Sequence, residues 1–131
     1  MKLQGILNSH ISKVLADLGH TDFIVVADAG LPIPKGVDKI DLALKLGVPS
    51  FKEVVSAIKE DMKIEKVIVA SEMELKNQMT FQEMKDLFAN TEIEQITHEK
   101  LKEITKSAKA VIRTGEATPY ANCILQAGVI F

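Results

Sequence analysis

Only one of the 131 residues is cysteine, Cys123, so no disulfide can close within the chain. Small secreted domains usually carry paired cysteines, which makes the reducing cytoplasm the expected location. Tryptophan is absent and aromatics make up 5%, with a single tyrosine, which leaves no stacking platform for bases. Positive charge is not in excess either. Lysine plus arginine number 16 against 18 acidic residues, a net charge of -2, whereas a nucleic-acid binder shows a basic face. Residues 1–10, MKLQGILNSH, lack the apolar core of a signal peptide. No apolar run approaches the ~20 residues of a membrane span. Also missing are G-x-G-x-x-G, G-x-x-x-x-G-K-[ST], G-x-S-x-G and H-E-x-x-H, so neither a nucleotide nor a metal cofactor is expected. Nucleic acid and membrane are excluded as partners, and a small molecule is left.

The chain is 47% hydrophobic over a length that suits one core, so residues 1–131 read as one domain. The most loop-like stretch, AGLPIPKG at residues 29–36, is too short to divide it. Ile11, Val14, Leu15 and Leu18 fall at helical spacing after Asn8 or Ser9 as cap, with Gly19 as a stop. FIVVA at 23–27 and KVIVA at 66–70 read as buried strands, and VDKIDL at 37–42 alternates like a strand with one wet face. Ser50 and Glu53 have capping-box spacing for a helix ending near Met62. Phe81, Met84, Leu87 and Phe88 mark a helix starting near Asn77, and Thr97 caps one through Leu101 and Ile104. Strands are expected at 93–97, 110–113 and 124–131. This interleaving predicts an α/β domain with a mixed, largely parallel sheet flanked by helices. In such sheets ligands gather beyond the carboxyl ends of the strands, where Asp28 and residues 114–122 fall.

His20 stands between a predicted helix and a strand, where an imidazole can act as acid or base near neutral pH. A histidine just past a helix also steadies its carbonyl end, and spacing leaves both roles open. Asp28 follows an apolar run and precedes Ala29 and Gly30. Its carboxylate either binds hydroxyls or a histidine at a strand tip, or simply forms the turn. RTGEATPYAN at 113–122 holds more polar functionality than a connection between apolar strands needs, as ligand-binding loops do. Tyr120 offers a hydroxyl and a ring face, and Asn122 both donors and acceptors, which suits a polyhydroxylated ligand. A proline-anchored turn with an Asx bond accounts for the same residues. His98 and Lys102, four apart on a predicted helix, share a face that either reaches one ligand or is solvated surface. Cys123, beside Ile124 and Leu125, reads as core and not as a nucleophile. His10 has no evident partner.

Three runs go further: GILNSHISKVLADLGHTD at 5–22, VVADAGLPIP at 25–34 and VIRTGEATPYANCILQAGVIF at 111–131. Together they resemble the D-ribose pyranase family of sugar mutarotases, in order and over the whole chain. The resemblance implies a cofactor-free isomerase that interconverts the pyranose and furanose forms of D-ribose and feeds ribose catabolism. It puts His20 in the place of the catalytic acid, with Asp28 orienting it or the sugar. It gives Asp28, His98, Lys102, Tyr120, Ala121 and Asn122 to substrate binding. It further implies a ring-like homo-oligomer, a decamer of two pentameric rings, with sites between adjacent subunits; the apolar ending Gly-Val-Ile-Phe suits such a contact. The related fucose mutarotases usually have phenylalanine in the turn after the aspartate and glycine between the tyrosine and asparagine. Gly30, Leu31 and Pro32 and then Ala121 stand here, which favours the ribose branch. The competing readings are a mutarotase for another sugar such as L-fucose, and a non-catalytic ribose-binding accessory protein of an uptake system.

Overall fold

A computed structural model describes all 131 residues. Its first helix, α1 (Ser9–Asp17), begins where the Asn8 side chain accepts the Ile11 N–H at 2.9 Å, and it buries Ile11. The chain then enters β1 (Phe23–Ala27), whose last four residues are fully buried, so the strand has no wet face. β2 (Asp38–Asp41) alternates as expected and buries only Ile40.

α2 (Phe51–Asp61) opens on the capping box: Ser50 accepts the Glu53 N–H at 3.1 Å and Glu53 accepts the Ser50 N–H at 2.8 Å. Such a cap contributes about 1 kcal/mol, and the buried stripe Phe51, Val54, Val55 and Ile58 contributes more. β3 (Ile64–Ala70) runs directly into α3 (Ser71–Lys76), a helix with no side-chain cap that the sequence reading lacked. At φ -148° Asn77 ends α3 and caps α4 (Gln78–Leu87). β4 (Glu92–Ile96), α5 (His98–Thr105) with Thr97 as cap, β5 (Ala110–Arg113) and β6 (Cys123–Ala127) complete the chain.

All six strands form one sheet in the order β2-β5-β1-β6-β3-β4. β1 and β2 pair parallel with β5, β3 pairs parallel with β4, and β6 lies antiparallel between β1 and β3. Five strands therefore end at the same edge, where β6 begins. This is the mixed, largely parallel sheet the sequence implies. One face packs against α1, α2 and α4 through Ile11, Val55, Ile58, Phe81 and Met84, and the other against α5 through Leu101.

The expected last strand is shorter than 124–131. β6 ends at Ala127 because its neighbours begin at Phe23 and Ile64, so the chain beyond Gly128 has no strand on either side. Ile130 and Phe131 are consequently exposed. No helix is long and apolar enough to cross a membrane.

Candidate functional site

The polar residues singled out at strand ends meet at the carboxyl edge. β1 delivers Asp28 there and the 114–122 connection returns beside it, held by the Thr114 hydroxyl and N–H, both of which donate to the Ala27 carbonyl at 2.8 and 2.9 Å. Asn122 is fully buried and bridges the two segments: its Oδ1 accepts the Asp28 N–H at 2.8 Å, and its Nδ2 donates to Asp28 Oδ2 at 3.1 Å. The other carboxylate oxygen accepts the Gly30 N–H at 2.9 Å. Asp28 thus does form its turn, and it also keeps one oxygen oriented by Asn122 with lone pairs to spare.

Tyr120 takes φ 57°, a left-handed conformation uncommon for a ring-bearing residue. Its ring meets His98 edge to face, 5.1 Å between centroids at 80°. His98, the first residue of α5, is fixed from behind by Glu72, whose two oxygens each accept the His98 N–H at 3.1 Å. Burial would raise the Glu72 carboxyl, but the N–H groups of His98 and of Glu72 itself and the Ser71 hydroxyl outweigh it, holding the group below the usual carboxylate range. His98 Nδ1 is buried without any hydrogen-bond partner. An orphaned polar atom in a native fold marks a place where a ligand or water belongs.

Ala121, between Tyr120 and Asn122 in the chain, is fully buried. Lys102 pairs through its ammonium with Glu99 at 2.7 Å on α5. Arg113 and Glu116 serve the loops. Arg113 donates to the Ala29 carbonyl at 3.0 Å and pairs with Asp41 at 3.0 Å. Glu116 accepts the Phe51 N–H at 3.0 Å and the Thr118 hydroxyl at 3.0 Å.

His20 lies at the opposite edge. It precedes β1 while Asp28 follows it, and five residues of strand put about 16 Å between the two ends. Within one chain Asp28 is therefore too far away to orient His20, which leaves the sugar as the other partner the resemblance implies for it. Nor does His20 cap α1, which closes at Leu18. Its Nε2 lies 2.9 Å from Glu65 Oε2, and Glu65 Oε1 accepts the Gln126 amide at 2.7 Å. Glu65 and Gln126 went unnoticed in the sequence; a lone polar residue inside the apolar run CILQA was the available signal. His20 borders a cleft with Leu15, Leu18, Met62, Ala127 and Val129. A third, mostly apolar groove of about 440 Å³ between α1 and α2, with Ile6, Leu42 and Val48, touches neither polar centre. No three histidine, cysteine, aspartate or glutamate side chains converge as a metal site.

The chain is similar to known proteins. A D-ribose pyranase of Bacillus subtilis strain 168 is 60% identical over 131 residues, the whole of both chains. The solved structure of Bacillus subtilis RbsD complexed with D-ribose superposes with a TM-score of 0.98 at 60% identity, again covering all of both chains. The fucose mutarotase of Streptococcus pneumoniae, solved in complex with L-fucose, shares the fold alone, with a TM-score of 0.80 at 24% identity over 95% of each chain. A family model matches residues 1–130. The chain belongs to the RbsD / FucU transport protein family.

Proposed function

We propose that this protein is a D-ribose pyranase, a cofactor-independent isomerase of one domain that interconverts the β-pyranose and β-furanose forms of D-ribose. The observation that carries the reading is the cluster at the carboxyl edge, where the Asp28 carboxylate, Asn122, Tyr120 and the unpartnered His98 Nδ1 converge. Full-length identity of 60% to a D-ribose pyranase supports it. Donors and acceptors at this spacing match a ligand that carries a hydroxyl on nearly every carbon.

Ring opening needs two proton moves. The anomeric hydroxyl loses its proton as the bond between C1 and the ring oxygen breaks, and the ring oxygen gains one. The open aldehyde then turns, and attack by the neighbouring hydroxyl with the reverse proton moves closes the other ring, with no net change in atoms or charge. His20 supplies the ring-oxygen proton; Asp28, His98, Tyr120, Asn122 and the Ala121 backbone hold hydroxyls, with Lys102 at the rim once released from Glu99.

Because His20 and Asp28 occupy opposite edges of one chain, the complete site is built from two copies, His20 of one meeting the cluster of the next. The family resemblance implies a ring-like homo-oligomer of two stacked pentamers in the cytoplasm, and a site shared between copies fits such an assembly. Exposed Leu3, Leu7, Leu44, Leu46, Ile130 and Phe131 are the kind of surface such contacts cover.

The family description names transport, which favours a second reading: an accessory protein that binds ribose without converting it. NMR exchange spectroscopy on D-ribose and on L-fucose, paired with thermal unfolding, separates the readings. Pyranase activity predicts faster exchange for ribose than for fucose. Ribose that raises the melting temperature while exchange stays at the uncatalysed rate would establish the accessory role instead.

A further inference from the structure

Glu65 is the extra residue of a β-bulge. In the pairing of β3 with β6, Ile64 opposes Ala127 and Lys66 opposes Gln126, so Glu65 has no partner across the ladder. A bulge of this kind re-aims a side chain, and here it turns the carboxylate towards the end of β6 and the turn before β1. Gly128 closes behind it so tightly that a methyl there would stand 3.1 Å from Glu65 Cβ. One carboxylate oxygen accepts the Gln126 amide at 2.7 Å and the other faces His20 Nε2 at 2.9 Å. The imidazole is half exposed and the carboxylate one third exposed, so the pair is held at the lip of the cleft and not sealed in the core. Among other charged groups nearby, Asp61 and Lys63 line the cleft, while Asp22 bonds the Gly19 N–H and faces Lys109 at 3.7 Å. Of these, only Glu65 is hydrogen-bonded to the ring.

We propose that Glu65, itself steadied by Gln126, is the positioning residue of His20, and that Nδ1 is the imidazole atom that exchanges its proton with the sugar ring oxygen. This rests on the reading of His20 as the catalytic acid. The hydrogen bond to Gln126 and then that to His20 hold Glu65 below the usual carboxylate range, so at neutral pH it is an acceptor only. Nε2 must therefore carry a hydrogen in either protonation state, and a neutral ring keeps its lone pair on Nδ1. In the forward step the Nδ1–H bond breaks and an O–H bond forms at the ring oxygen as the C1–O bond opens; the anomeric hydroxyl gives its proton to solvent water as C1=O forms, and the Nε2–H stays hydrogen-bonded to Glu65. Ring closure returns the proton to Nδ1. The carboxylate thereby fixes both the tautomer and the direction of the acid, as partners of catalytic histidines do elsewhere.

The test compares the full-length parent, Glu65→Gln, Glu65→Ala, His20→Ala and the double variant on D-ribose, with nitrogen-15 NMR of the His20 ring. The proposal predicts that Glu65→Ala lowers kcat by about 10- to 100-fold with KM little changed. Glu65→Gln, which keeps an acceptor and the fold, recovers part of that loss. Adding Glu65→Ala to His20→Ala costs nothing more, because both act through one group. The neutral parent ring shows the Nε2–H tautomer, and Glu65→Ala mixes the two. A His20→Ala protein as fast as the parent overturns the acid role on which the inference stands. An inactive His20→Ala beside a fully active Glu65→Ala, or an Nδ1–H tautomer in the parent, overturns the inference alone.

Discussion

At the scale of single residues, Asn122 carries the most consequence. Fully buried and bonded twice to Asp28, it can be cut back only by leaving the Asp28 N–H and one carboxylate oxygen without partners. Asn122→Ala is expected to cost about 1–3 kcal/mol of stability, read as a lower urea midpoint at unchanged slope, together with a loss of ribose exchange. Cys123 gives a prediction of opposite character. Burial pushes its thiol far up, so the folded state holds the proton long after an unfolded thiol has lost it. A raised thiol stabilises the fold below the unfolded value and ceases to do so as pH climbs past it. The parent should therefore lose stability above about pH 8.5 more steeply than Cys123→Ala. The same residues show what a sequence conceals. Asp28 and Asn122 were visible as polar groups at strand tips, yet their mutual bond depends on a strand order that no local pattern encodes. Glu65 was hidden because a bulge has no signature in composition, and the Lys102–Glu99 pair went unread because the spacing of His98 and Lys102 says nothing about the nearer Glu99.

At the scale of elements, caps were the most legible features. The Ser50–Glu53 box and the Asn8 and Thr97 caps all form where side-chain chemistry places them, since each is a contact within four residues. α3 escaped notice because it has no side-chain cap and starts on the last residue of a strand, so the apolar run of β3 masked it. Its one lasting tie to the site is Glu72, which receives the first N–H of α5. A carboxyl held below its ordinary value adds stability above the unfolded pKa, and that stability is lost as pH falls through the folded value. Glu72→Gln should accordingly melt earlier than the parent at pH 7, with the gap closing below about pH 4, as followed by circular dichroism.

At the scale of the whole molecule, five strands pointing one way place the polar cluster at one edge, and the sixth, reversed, carries Gln126 back to Glu65, the partner of His20, at the other. The α/β class was legible because apolar runs and amphipathic stretches alternate, and the separation of His20 from Asp28 was implicit in the strand expected at 23–27 between them. If the site spans two copies, sedimentation at micromolar concentration should find no free monomer, and a monomer that retains full activity would refute the shared site. The central claim is conversion of one ribose ring form to the other, and saturation transfer between the anomeric NMR signals of D-ribose measures it directly. Transfer between pyranose and furanose signals should grow in proportion to added protein, without metal or nucleotide; a transfer rate that stays at its protein-free value would contradict the account.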